Sequence, residues 1–158
     1  MEYKNAATYW IAALFVIGNI ALPQLCHLVP SGGPMLLPIY FFTLVAAYKY
    51  GWKVGLLTAV LSPLVNSALF AMPAPAVLPA ILTKSLLLAA AAGFAARKFR
   101  RVSLLLLLGV VLFYQVIGSA AEWGLTGSLA AALQDFRIGI PGMLLQILGG
   151  YLFIKYLK

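Results

Sequence analysis

The sequence predicts an all-α membrane protein: one integral domain, residues 1–158, built as a bundle of six transmembrane helices with both termini cytoplasmic. Three observations lead there. Hydrophobic residues make up 64% of the chain and charged residues only 9%, too little polar surface to wrap a water-soluble domain. Long apolar runs recur from end to end, and mean hydropathy is +1.02. The basic residues gather in alternate connections, as a polytopic chain obeying the positive-inside rule requires.

The spans are drawn at roughly 6–22, 35–48, 53–71, 76–96, 102–122 and 138–157. A crossing helix needs about 20 apolar residues, so the second is short and must extend into its flanks or sit in thin membrane. Lys4 precedes the first span, and Lys49 and Lys53 bracket the turn between the second and third. Arg97, Lys98, Arg100 and Arg101 fill the next turn on that side, and Lys155 and Lys158 close the chain. The opposite connections hold only Arg137, balanced by Asp135. The basic side is therefore assigned to the cytoplasm, in a multi-pass protein of the cell (inner) membrane. The N-terminus lacks a positive n-region and a small-residue cleavage site, so the first span is expected to stay in the bilayer.

The outer connections are longer and richer in turn formers: "PQLCHLVPSGGP", "MPAPAVLP" and "WGLTGSLAAALQDF". Pro73, Pro75 and Pro79 suit a loop feeding a helix start. Residues 128–136 are expected as a short helix lying on the outer surface.

Depth follows from orientation at about 1.5 Å per residue. Lys84 is thirteen positions from Arg97, which places it in the outer half, level with Asn66 and Gln115. Asn19 also lies in the outer half. Gln115, Ser119 and Glu122 share one helical face by their i, i+4, i+7 spacing. Arg137 opens the last span and Gln146 follows it; Tyr40, Phe41, Phe42, Phe70 and Trp123 add aromatic rings on the same side. The inner halves are almost purely Leu, Val, Ala and Gly. Polar groups in hydrocarbon are costly and usually face a bundle interior or a cavity. A set of them on several helices, all in the outer half, points to a pocket open to the outside. A channel or self-sufficient carrier would need a matching inner set.

Each residue also has a plain structural reading. Asn19, Asn66, Gln115 and Gln146 suit helix-joining hydrogen bonds. Lys84 suits an ion pair with Glu122, or a side chain that snorkels to the outer headgroups. Arg137 suits an interface anchor, and the rings an aromatic belt. The residues Ala47, Gly51, Gly55 and Ala59 recur every four positions, and "LAAAAGFAA" is smooth; both favour close helix packing, within this chain or against another membrane protein.

Catalytic and metal chemistry find little here. His27 is the sole histidine, with Cys26 the sole cysteine beside it, which gives no metal-ligand cluster. Three acidic residues in all, Glu2 among them, leave little for general acid–base work. No nucleophile motif or phosphate-binding loop is present. The chain is not expected to be an enzyme or to carry a cofactor. Its net charge of +8 follows from membrane topology, so no nucleic-acid partner is expected.

The whole pattern resembles the substrate-binding S components of energy-coupling factor (ECF) vitamin transporters. The resemblance rests on topology, on "HLVPSGGPMLLPIYFFTLVAAYKYG", and on the "GWKVG" turn into the third span. It implies a six-helix receptor that binds a vitamin or related micronutrient at its outer face; the residues add that the ligand is anionic or a polar heterocycle, with Lys84 expected to pair with its anionic group and Glu122, Gln115 and Asn66 to fix its polar edges. The resemblance also implies a membrane coupling subunit and cytoplasmic ATPases as partners. The ligand-site residues it nominates are Lys84, Gln115, Ser119, Glu122, Trp123, Arg137 and Gln146, with His27, Asn66 and Tyr40 as further candidates. Many members dock their coupling subunit through an Ala-x-x-x-Ala face in the first span, and no such pair stands there in this chain. A membrane scaffold of the rod-shape-determining type is the rival reading, in which the same polar residues are structural and no ligand binds.

Overall fold

A computed structural model describes residues 5–157; Glu2, Lys4 and Lys158 fall outside them. Among the described residues the chain is all-helical, with four helices long and apolar enough to cross a membrane. These are α1 (Ala6–Cys26), α4 (Trp52–Phe70), α5 (Leu78–Phe99) and α6 (Leu104–Thr126). Between them lie α2 (Gly32–Leu36), a 3-10 turn (Pro38–Tyr40) and α3 (Phe41–Tyr50). After α6 come α7 (Leu129–Ala132), α8 (Gln134–Ile138), α9 (Ile140–Leu144), a π-helical turn (Leu145–Gly149) and α10 (Gly150–Tyr156).

Local chemistry sets the ends of the long helices. The Asn5 side chain accepts from the Ala7 amide and starts α1; Ser103 does the same for Leu106 and starts α6. Pro79 occupies the first turn of α5, where its missing N–H costs nothing. Gly51 ends α3 at φ 95°, a conformation other residues avoid.

Two expected spans depart from single helices. Where the second was drawn through residues 35–48, α2 stops at Leu37, which takes the left-handed conformation. Pro38 then opens the 3-10 turn, and only the ten residues of α3 remain regular. The break has a cause: proline disfavours the helical conformation in the residue before it and offers no amide to continue the ladder. The sixth span is helical over Ile140–Tyr156, 17 residues at most, and contains the π turn. The external helix expected over 128–136 is two short helices, α7 and α8, that meet at Leu133.

The short α3 is the centre of the bundle. Leu44, Val45, Ala46 and Ala47 are all fully buried, and α3 packs against α1, α4, α5 and α10. A helix apolar all round must be surrounded by others. The stripe of small residues is spent inside this chain: a Cβ on Gly55 would lie 2.3 Å from the Ala47 Cβ. One on Gly93 would lie 2.6 Å from Trp52 Cβ, so α5 rides as closely on the start of α4.

Burial is inverted relative to a water-soluble protein. Trp10, Leu14, Leu105 and Phe94 are exposed, while Asn19, Asn66, Lys84, Gln115 and Gln146 are buried. That is the pattern of a membrane-embedded chain.

Candidate functional site

A cavity of about 380 Å³ opens at the end of the bundle opposite the basic turn 97–101. Its wall is built from the connections: Pro23 and His27 at the end of α1, Pro34 in α2, Pro38 to Tyr40 in the 3-10 turn, and residues 71–74 after α4. Val77, Ile81 and Lys84 face it along α5, Glu122 from α6, and Gln134 and Asp135 from α8. Pro38 opens the 3-10 turn, Pro23 lies in the last turn of α1, Pro34 in α2 and Pro73 in the loop after α4, so the rim is short helical pieces and loop around an apolar bowl.

Lys84 is the charged centre of this bowl. It is 2% exposed, and its Nζ stands 2.6 Å from Glu122 Oε2 and 2.8 Å from Asp135 Oδ2. The carboxylate side chains are themselves only 13% and 14% exposed. Helix α5 thus holds α6 and the α7–α8 segment together through one ammonium. Gly118 makes this possible: a Cβ there would lie 2.5 Å from Lys84 Cγ, so the lysine stem runs over bare α6 backbone. Each carboxylate uses one oxygen on Lys84, and among the described residues the other oxygen has no hydrogen-bond partner.

Two further expected residues reach the cavity. His27 donates from Nδ1 to the Pro23 carbonyl at 2.6 Å, which fixes the proton on that nitrogen. A Cβ on Gly33 would lie 2.7 Å from its Nε2, so a side chain at that position would push the ring aside. Tyr40 is 3% exposed, lines the cavity, and its hydroxyl has no hydrogen bond among the described residues. Its ring packs on Tyr114 at 5.3 Å.

The remaining expected ligand residues do not line this cavity, although they share its depth. Gln115 and Gln146 sit behind Tyr114, fully buried: Gln115 Nε2 donates to the Tyr114 hydroxyl at 3.2 Å, and that hydroxyl donates to Gln146 Oε1 at 2.9 Å. The π turn carries Gln146 into this position; π turns interrupt a regular ladder to re-aim a side chain. Gln115 Oε1, Gln146 Nε2 and Ser119 Oγ are buried with no partner among the described residues. Asn66 belongs to a third group. Its Nδ2 donates to the carbonyls of Asn19 and Ser62, both at 2.9 Å. Asn19 in turn donates to Thr43 and Ser62 and accepts from the Phe42 amide. Trp123 and Arg137 are exposed and line no part of the cavity. One expected set is therefore three: a charged cavity, a buried amide–phenol chain behind it, and a helix-joining cluster at α1, α3 and α4.

Asp135 is the residue the sequence pattern did not single out. It was matched to Arg137, two positions away, yet its carboxylate pairs with Lys84 across 51 positions of chain. The signal available was the surplus of charge at the membrane: a buried lysine demands compensation.

No protein-family model, curated protein or solved structure matches this chain. The functional reading therefore rests on the cavity and its residues. Among the described residues, no three His, Cys, Asp or Glu side chains are grouped to hold a metal ion.

Proposed function

We propose that this chain captures a vitamin-like micronutrient at the outer face of the cell membrane, as the substrate-binding S component of an ECF transporter. In this reading the chain crosses the membrane six times with both termini in the cytoplasm, and the cavity faces outside. A membrane coupling subunit and cytoplasmic ATPases supply the energy, since the chain carries no ATP-binding motif.

The observation that supports it best is the cavity itself. It is of the size that takes a small molecule, mostly apolar, with a few convergent polar groups at its base. The other half of the bundle is closed: Leu44, Val45, Leu88, Ala92 and Leu107 are fully buried and fill the space a permeation path would need. A site open at one end and blocked at the other suits a receptor that hands its ligand to a larger assembly.

The self-paired state of Lys84 favours the second reading, a scaffold in which the ion pairs only pin α8 to α5 and α6. Binding separates the two. The full chain, purified into lipid nanodiscs and then denatured, should release one small molecule per protein, identified by mass spectrometry. Co-expressed ECF coupling subunit and ATPases should co-purify with it. No retained compound and no such complex would leave the scaffold reading.

A further inference from the structure

We propose that the cavity selects a cation: a small organic molecule with one positive charge on an apolar or aromatic body. This rests on the cavity being a binding site and names the ligand class it takes.

The charge balance carries the inference. Two carboxylates face one ammonium at contact distance, so Lys84, Glu122 and Asp135 together bear one formal negative charge. Arg137 is exposed and does not line the cavity, so it puts no positive charge on the cavity wall. The free oxygen on each carboxylate offers an acceptor, and neither offers a donor. An anion would have to expel Glu122 or Asp135 from Lys84 and strand a carboxylate in a low-dielectric bowl. A cation meets two acceptors already in place and restores neutrality.

Tyr40 points independently to a ligand. The Tyr40 side chain is 3% exposed and lines the cavity wall, and its hydroxyl has no hydrogen bond among the described residues, so it is free to meet a ligand there. Its ring also adds the aromatic surface that cations favour. The rest of the wall, Pro23, Pro38, Ile39, Met72, Val77 and Ile81, suits an apolar body rather than a second polar group.

Three probes of one shape and different charge test this: 1-methylnicotinamide, nicotinamide and nicotinate, titrated against the purified full chain in nanodiscs. The cation should bind about tenfold tighter than its neutral parent or better, with nicotinate weakest. Glu122→Gln should erase most of that preference, read as the ratio of 1-methylnicotinamide to nicotinamide affinity within the same variant. Asp135→Asn, on a different element, should do the same and covers the case in which Glu122→Gln fails to fold. Equal affinities, a preference for nicotinate, no binding of the cation at millimolar concentration, or an unchanged preference in both variants overturns the proposal. A neutral or anionic compound released from the purified chain also overturns it, while leaving the capture reading intact. Absence of any released or added ligand sinks the capture reading itself.

Discussion

Lys84 and Gly118 are in direct contact, with the lysine stem occupying the volume a Cβ on Gly118 would need. Helix α6 therefore contributes twice to the same site: bare backbone at Gly118 to admit the stem, and Glu122 one turn later to meet the ammonium. Gly118→Ala should lower stability by about 1–3 kcal/mol through overpacking. It should also sharpen the cavity's preference for a cation over a neutral ligand, because the displaced stem carries Nζ away from its carboxylates. Thermal melting and ligand titration of the same preparation check both.

Removing Lys84 alone leaves Glu122 and Asp135 close together with no counter-charge. Lys84→Met should destabilise by about 3–5 kcal/mol, the usual cost of breaking a buried pair from one side. Adding Glu122→Gln and Asp135→Asn should recover most of that loss, since an uncharged trio has no desolvated charge to compensate. If the triple variant melts as low as the single one, the ion pairs are not what Lys84 supplies.

Asn19 ties three helices. It donates to Thr43 and Ser62 at 3.0 and 3.1 Å and accepts the Phe42 amide at 3.2 Å, at the start of α3. Asn19→Ala should cost about 1–3 kcal/mol, because the Phe42 amide loses its acceptor in a buried setting. Ligand affinity should change little beyond what lost stability explains, since this cluster does not line the cavity. Thermal melts paired with titrations separate the two effects.

Gly55 and Gly109 form a matched pair of helix glycines. A Cβ on Gly55 would lie 2.3 Å from Ala47 Cβ, whereas nothing lies within 4 Å of one on Gly109. Gly55→Ala should force α4 off α3 and lower the melting temperature sharply. Gly109→Ala should be neutral or stabilising by up to about 1 kcal/mol, from helix propensity alone.

Much of the scaffold was legible because membrane helices announce themselves by length and hydropathy. The four long helices fall close to the expected first, third, fourth and fifth spans. The second span is not the one regular helix expected, because apolar composition does not show where a helix breaks; Leu37 and Pro38 break it, and its neighbours enclose the ten residues of α3. Depth placed Lys84, Gln115 and Asn66 at one level, and that level does not say which way each side chain turns. Azimuth divides them: Gln115 goes to Tyr114, Asn66 to Asn19, and Lys84 alone to the cavity. The Lys84–Glu122 pairing was among the alternatives the sequence offered. Asp135 was hidden because the tertiary fold, not local spacing, brings α8 over α5.

The central claim is that the cavity beside Lys84 holds a small molecule. Ala74 lines its mouth and is exposed, so Ala74→Trp should fill the opening without disturbing the core. The decisive measurement is the amount of small molecule released by denaturation from wild type and from Ala74→Trp, both purified in nanodiscs. Wild type should release nearly one molecule per chain and the variant almost none. Equal release from the two proteins, or none from wild type, would contradict it.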